Sequence, residues 1–235
     1  MISRSFMEGH TIEDITRLAD FVPGFQPREV SPHQLDLVIR GIANDLSGSA
    51  TPSRTAVFYD QVAVGHPAAA SFAMYDMARI EVLKGPQNTL FGSGAAAGVV
   101  RFLPQIPEAD FSGFLTAEAG NFGMKDVRGA VNLPVIRDKV FFRSAGIYTY
   151  RDGYVSNTFG GTLNGRNTLG GRMSVRILPF WNTQVDFLVN YQKDAYPGTA
   201  YMSHDLPNSQ GITDIFRYEA SLEQGKNLQN SGDML

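Results

Sequence analysis

The sequence predicts an α+β unit over residues 1–107, followed by an antiparallel β region over residues 108–235. Three observations carry this prediction: a helical apolar stripe near the N-terminus, a two-residue periodicity after Pro107, and prolines at the boundary. A chain of 235 residues is long enough for two domains that each bury a core.

The first unit begins with a predicted helix. Thr11 is suited to cap this helix, Asp14 follows three residues later, and Pro23-Gly24 ends it. Its apolar stripe consists of Ile12, Ile15, Leu18, Ala19 and Val22. Short strands are predicted after it at residues 35–39, 55–59 and 62–64, and then on both sides of a glycine-rich turn.

The glycine-rich turn lies within RIEVLKGPQNTLFGSGAAAGVV, residues 79–100, directly after a strand. Gly92, Gly94 and Gly98 give G-x-G-x-x-x-G, which is one residue longer than the dinucleotide-binding fingerprint. No long helix follows whose N-terminus could hold a phosphate. We therefore predict a tightly packed turn in which small residues let backbones approach closely.

The composition excludes several classes of function. The net charge of −3 and the absence of a basic cluster argue against a nucleic-acid partner. Without cysteine there are no disulfides or thiolate metal sites, and the four histidines lack metal-binding spacing. We find no nucleophile motif, so we predict no catalytic residue, no metal, no cofactor and no enzymatic activity.

The second region alternates apolar and polar residues in five segments. These segments are residues 115–119, 127–133, 142–150, 173–177 and 185–191. In the last segment, Val185, Phe187 and Val189 oppose Asp186 and Asn190. Each segment has about the length that a tilted strand needs to cross a bilayer.

Alternation alone leaves two alternatives, a soluble sheet with one wet face and an outer-membrane barrel. The connections differ in length: those at residues 133–140 and 178–183 are short, whereas those at 151–167 and 193–213 are long. Aromatic residues lie near both ends of the strands, namely Phe180, Trp181, Tyr148, Tyr150 and Tyr191. Short turns at one end, long loops at the other and aromatic residues at both favour the barrel.

The segment at residues 79–100 closely resembles the end of the plug domain of TonB-dependent outer-membrane receptors. DITRLADFVPGF, LVIRGI and VFYDQVAVG match that family upstream and in the right order. GNFGMKDVRGAVNLPV and YRDGYVSN resemble its first barrel strands and first long outer loop. Lys84 departs from the family pattern, in which arginine is commoner, and this change removes bidentate carboxylate pairing there.

The resemblance implies a plug over residues 1–107, lodged in a barrel of about 22 strands that begins at residue 108. It implies energy-coupled uptake of a scarce ligand across the outer membrane of a Gram-negative bacterium. The ligand classes known for the family are siderophores, cobalamin and oligosaccharides. The implied partners are outer-membrane lipid, an inner-membrane TonB-type energy complex and this small-molecule ligand.

The resemblance also implies a set of structural and gating positions in the plug. These are Arg40, Gly41, Arg79, Glu81, Lys84, Gly85, Pro86, Gly92, Gly94 and Gly98. Arg40 and Lys84 are the positions at which it implies anchoring to barrel carboxylates. Tyr196, Tyr201 and His204 fall in a predicted outer loop and are candidate ligand contacts.

Five strands are too few to close a barrel around a plug, so we expect an incomplete barrel. The first ten residues also lack the apolar core of a signal peptide. We therefore expect a fragment or truncated reading frame of such a receptor, unable to transport by itself. The alternative is a soluble, plug-like binding or interaction module.

Overall fold

The computed structural model describes residues 1–10, 12, 14–31, 34–43, 54–65, 72–157, 160–198, 219–220 and 229–234. The backbone divides into two compact units, Met1–Ile106 and Pro107–Leu235. The first unit combines short helices with a mixed sheet, and the second is built mainly of antiparallel strands, with the strands Val155–Asn157 and Glu219–Ala220 as a parallel pair. The predicted fold class is confirmed.

The helices of the first unit are short. They are α1 (Arg4–Gly9), α2 (Ile15–Leu18), a 3-10 turn at Ala19–Phe21, and α3 (Asn88–Phe91). Asp14 caps α2, since its Oδ1 accepts a hydrogen bond from the backbone N–H of Arg17 at 2.9 Å. The prediction that one helix begins at Thr11 is therefore wrong about its start, and Thr11 itself lies outside the described residues. Asp14 begins the helix because its carboxylate accepts from a backbone N–H of the first turn.

The described residues of the first unit form seven strands. They are β1 (Ile2–Ser3), β2 (Phe25–Ser31), β3 (Gln34–Ile39), β4 (Thr55–Tyr59), β5 (Val62–Ala63), β6 (Met77–Lys84) and β7 (Gly98–Pro104). Five of them form a sheet in the order β1-β6-β7-β4-β5, in which β4 and β7 run parallel. Strands β2 and β3 form a separate antiparallel hairpin.

The core of the first unit joins its helices to both sheets. Leu18 of α2 and Phe25 of β2 are fully buried, as are Ile39 of β3, Ile80 of β6 and Phe102 of β7. Burial of each such side chain contributes about 1.5–3 kcal/mol relative to exposure. The core therefore draws on residues from most of the length of this unit.

The glycine-rich turn joins β6 to β7 as a hairpin. The pairing continues beyond the strands, because Gly85 N–H donates to Ala97 O and Gln87 N–H donates to Ala95 O, both at 2.9 Å. A Cβ at Gly98 would lie 2.3 Å from Leu83 O and 2.8 Å from Ile39 Cδ1. This is the close backbone approach that the sequence predicts.

In the part of the second unit that the structure describes there are nine strands. They are β8 (Ser112–Ala119), β9 (Lys125–Ile136), β10 (Val140–Arg151), β11 (Val155–Asn157), β12 (Thr162–Leu163), β13 (Arg166–Phe180), β14 (Thr183–Pro197), β15 (Glu219–Ala220) and β16 (Gln229–Met234). Six form an antiparallel sheet in the order β16-β14-β13-β10-β9-β8. Strands β12, β11 and β15 form a small second sheet.

The side chain of Asn132 forms hydrogen bonds with the backbone of the segment that precedes β8. Its side chain is fully buried and donates through Nδ2 to Glu108 O at 2.8 Å and to Asp110 O at 2.6 Å. Its Oδ1 accepts from Glu108 N–H at 3.0 Å. Three hydrogen bonds to one buried amide hold residues 108–110 against β9.

Among the residues that the structure describes, no helix has both the length and the hydropathy needed to cross a bilayer.

We expect Gly98→Ala to destabilise the first unit by about 1–3 kcal/mol, because the added methyl group overlaps Leu83 O and Ile39 Cδ1. Hydrogen exchange of the β6 and β7 amides measures the loss. Gly65→Ala is the matched control, since a Cβ there meets nothing within 4 Å. Equal protection of β6 and β7 in the two variants would contradict the close approach at Gly98.

Candidate functional site

A charged cluster lies on strands β6 and β7, next to the glycine-rich turn. Arg79 Nε donates to Glu81 Oε1 at 2.7 Å, and Arg101 Nη1 donates to Glu81 Oε2 at 2.8 Å. The hydrogen bond from Arg79, aided by the charge of Arg101, holds the pKa of Glu81 below its usual value. The sequence predicts Arg79 and Glu81 as a motif, whereas Arg101 joins them only because β7 pairs with β6 at that register.

Arg40 and Lys84 meet at one turn of the first unit. Lys84 Nζ donates to Pro23 O at 2.5 Å, and the backbone N–H of Arg40 donates to Gly24 O at 2.7 Å. A Cβ at Gly24 would lie 3.7 Å from Arg40 Cγ, so the Arg40 side chain passes along this turn. Within the described residues neither cation forms an ion pair. The fold thus brings together the two residues whose anchoring role is a prediction.

Four glycines of the predicted motif adopt backbone conformations that suit glycine. Gly41, Gly85, Gly92 and Gly94 have φ values of +79°, +103°, +74° and +99°. Gly92 ends α3, and Pro86 follows Gly85 at the start of the turn. Gly85, Gly92 and Gly94 shape the β6–β7 hairpin, whereas Gly41 follows β3. The helix in this hairpin, α3, has only four residues, so it offers no N-terminal site for a phosphate.

The six-stranded sheet has one polar, buried face. Its buried polar residues are Asp126, Asn132, Arg143, Thr149, Thr168, Arg172, Ser174, Gln192 and Asp194. In one row across the strands, Asp126 lies opposite Thr149, Thr149 opposite Thr168, and Thr168 opposite Asp194. Polar side chains therefore face one another from strand to strand.

Hydrogen bonds link the residues of this row. Thr149 Oγ1 donates to Asp126 Oδ2 at 2.6 Å, and Arg128 Nε lies 3.0 Å from Asp126 Oδ1. Gln192 Nε2 donates to Asp194 Oδ2 at 2.7 Å. Both buried carboxylates thus have partners within the sheet, as buried charges require.

The other face of the same sheet is apolar and exposed. It carries Leu115, Val127, Leu133, Val135, Tyr148, Leu169, Met173, Val185, Phe187 and Val189. Each of these is at least 37% exposed. Phe180 and Trp181, at the turn between β13 and β14, are 70% and 97% exposed. A water-soluble sheet has the opposite polarity, so this arrangement is typical of a strand wall in lipid.

Of the three predicted ligand-contact residues, the structure describes only Tyr196. Tyr196 lies in β14, so its assignment to a loop is wrong. Its ring is buried, and its hydroxyl donates to Asp194 Oδ1 at 3.2 Å and lies 3.2 Å from Thr168 Oγ1. Strand β14 extends past residue 193 because it pairs with β16, which the sequence pattern does not reveal. Tyr201 and His204 lie outside the described residues, and ligand contact by all three stays a prediction.

No group of three or more histidine, aspartate or glutamate side chains in the described residues could hold a metal ion. The first unit instead contains the β6–β7 hairpin, with the cationic residues Arg40 and Lys84 near it. The second offers a polar face with buried ionic groups. Neither arrangement contains an activated nucleophile within the part of the chain that the structure describes.

Comparison with known sequences places these features in a family. Residues 1–99 match the model of the TonB-dependent Receptor Plug Domain. The ferric enterobactin receptor PirA of Pseudomonas aeruginosa is 27% identical over 156 residues, which are 59% of this chain and 21% of that receptor. The pesticin receptor of Yersinia pestis is 29% identical over 111 residues, which are 46% of this chain and 16% of the receptor. The chain thus spans about a fifth of the length of these relatives.

Solved structures agree in fold. The ferric yersiniabactin uptake receptor FyuA of Yersinia pestis superposes with a TM-score of 0.79 at 17% identity, over 87% of this chain and 32% of that chain. The ferripyoverdine receptor of the outer membrane of Pseudomonas aeruginosa gives a TM-score of 0.71 at 18% identity, over 90% and 27%. At these identities the likeness shows the fold alone.

The class of protein follows from these findings. The chain carries a plug domain followed by antiparallel strands that match those of outer-membrane receptor structures. Residues 1–99 therefore carry the plug domain of the TonB-dependent receptors, which confirms the resemblance. The relatives are receptors, so the prediction that the chain is not an enzyme is also confirmed.

We expect the two faces of β14 to tolerate charge differently. Val189→Arg should cost about 2–4 kcal/mol at the bilayer midplane, because Val189 is 65% exposed on the apolar face. Asn190→Arg, at the same depth on the polar face, is the matched control and should cost far less. Urea unfolding in lipid vesicles of a receptor that carries this sequence measures both, and equal costs would contradict the assignment of the faces.

We expect Glu81 to make stability depend on pH. Its folded pKa is lowered from the usual 4.5, so its stabilisation is complete above that value and is lost as the pH falls through the lowered pKa. The difference in unfolding free energy between wild type and Glu81→Gln should therefore shrink in acid. As a control, Glu8→Gln breaks an exposed ion pair and should change the free energy by less than about 1 kcal/mol at neutral pH. A difference for Glu81→Gln that is constant with pH would contradict the role of the carboxylate.

Proposed function

We propose that this sequence serves in an outer-membrane receptor of a Gram-negative bacterium, which takes up a ferric siderophore with energy from an inner-membrane TonB-type complex. The observation that carries the proposal is a plug domain joined to a sheet whose apolar face is exposed. The relatives favour siderophores over cobalamin and oligosaccharides, since one is named a ferric enterobactin receptor and another a ferric yersiniabactin uptake receptor.

The strands of the second unit are long enough for this task. Strands β13 and β14 have 15 residues each, so each spans about 50 Å at roughly 3.3 Å per residue. A tilted transmembrane strand needs only about 9–11 residues. The additional residues extend the wall beyond the bilayer, where long loops could meet ligand. A soluble plug-like module is disfavoured, because it would expose the apolar face to water.

Within this proposal the plug predicted from the sequence, residues 1–107, closes the pore, and residues 108–235 begin the barrel wall. The β6–β7 hairpin, with Arg79, Glu81 and its glycines, gives the plug a fixed shape next to the turn. Arg40 and Lys84 would bond barrel carboxylates and so hold the plug in place. In support, both residues contact the Pro23–Gly24 turn, Arg40 through its backbone N–H and Lys84 through Nζ, and neither forms an ion pair with a described residue.

Bacterial growth on supplied ferric siderophores tests the proposal. The reading frame that contains this sequence is expressed in a strain without its own siderophore receptors, in iron-limited medium. Ferric enterobactin, ferric yersiniabactin and ferripyoverdine are supplied separately, and uptake of radioactive iron is followed. We expect at least one of them to restore growth and uptake, and a strain that lacks TonB to show neither.

A matched variant checks the contribution of the plug. Arg40→Gln with Lys84→Gln should impair uptake or let the pore leak, while Arg137→Gln at the exposed turn before β10 should do neither. Growth that is independent of TonB would contradict the energy-coupled mechanism. Failure with all three ferric siderophores would contradict the assigned ligand class.

A further inference from the structure

Two arginines lie directly opposite one another on the polar face of the six-stranded sheet. Arg151 is the last residue of β10, Arg166 is the first residue of β13, and the two are paired in register. They lie at the end of the strands that is remote from the short turns after β9 and β13. Like charges directly opposite on a sheet repel, so this placement calls for a compensating anion.

The described residues do not engage every N–H donor of these two arginines. Arg151 Nη2 donates to Asn164 O at 3.2 Å, and its guanidinium lies 5.2 Å from the centre of the Tyr154 ring. The Nε–H groups of Arg151 and Arg166 are buried and have no acceptor among the described residues. In the described part of the chain, neither arginine forms an ion pair.

The nearest carboxylates on this face are already engaged. Asp126 accepts from Thr149 and is paired with Arg128. Asp194 accepts from Gln192 and from the Tyr196 hydroxyl, which lies beside Thr168 in the same row. These bonds occupy the two acids one row below the arginines, so the guanidinium groups remain available to another anion.

We propose that Arg151 and Arg166 form a binding site for an oxyanion group, a carboxylate or a phosphate, of a dissolved ligand. Guanidinium groups present planar pairs of N–H donors that match the two oxygens of such a group. The inference rests on the proposed receptor function, because the long loops at this end of the strands are where ligand would arrive. It narrows the ligand to one that carries an accessible anionic group.

Binding of inorganic phosphate to the 235-residue chain in detergent micelles tests the site. Phosphorus NMR line widths give the affinity of the wild type, of Arg151→Gln and of Arg166→Gln. We expect each substitution to weaken binding about tenfold or more, because it removes a charged donor. Arg137→Gln is the matched control, since Arg137 is almost fully exposed at the opposite end of β9 and β10. It should leave the affinity unchanged.

Lysine substitutions distinguish a loss of phosphate binding at the site from a loss caused by misfolding. Arg151→Lys and Arg166→Lys keep the charge but lose the planar pair of donors, so they should bind phosphate with intermediate affinity. Hydrogen exchange at Thr149 and Thr168 should match the wild type in these variants. An equal loss of affinity in Arg137→Gln would show general attraction of anions and overturn the proposal. Absence of phosphate binding by the wild type would overturn it as well.

A carboxylate of the chain itself is the other source of an oxyanion. Asp205 and Asp214 belong to the long connection after β14 and lie outside the described residues. If Asp205→Asn or Asp214→Asn makes phosphate bind about tenfold more tightly, an internal carboxylate fills the site and the free-ligand proposal is overturned. Unchanged affinity supports a dissolved ligand.

The two proposals fail separately. Growth on a ferric siderophore without phosphate binding by the chain would remove the arginine site and leave the receptor function standing. Phosphate binding that depends on Arg151 and Arg166, without growth on any ferric siderophore tested, would keep the site and remove the assigned uptake.

Discussion

The reversed polarity of the six-stranded sheet is the constraint on which the second unit depends. In lipid the apolar side chains face outward, and each backbone N–H and C=O must be paired along the strands. Val185, Phe187 and Val189 are exposed, whereas Asp194 and Gln192 of the same strand are buried. Exposure of this apolar face to water costs free energy that hydrocarbon removes, and this supports the membrane location that we propose.

This polarity places the ionic groups of the second unit in a buried setting. A buried charge without a partner is costly, so the sheet pairs charges across its strands. Arg128 lies within ion-pair distance of both Asp126 and Glu118, and Thr149 donates a hydrogen bond to Asp126 Oδ2. Against this background the facing pair Arg151 and Arg166 stands apart. Since neither arginine forms an ion pair with a described residue, the pair can bind the oxyanion that we propose.

The structure of the first unit depends instead on the close approach of backbone segments within a compact core. Gly98 leaves room for Leu83 O and the Ile39 side chain, which lets β6, β7 and β3 pack together. Glu81 then holds an arginine from each strand of the hairpin, Arg79 and Arg101. Fixed geometry at this turn suits the role that we propose for the first unit, which is to keep its shape while it closes a pore.

The sequence alone determined the fold class, the alternating faces and the positions of the hairpin glycines, because these depend on local periodicity and backbone conformation. It also pointed to Arg40 and Lys84, although through family resemblance. Only the tertiary structure decided that Arg101 joins Glu81, that Tyr196 lies in a strand, and that Arg151 faces Arg166. Such partnerships depend on the register between strands far apart in sequence, which a two-residue period does not encode.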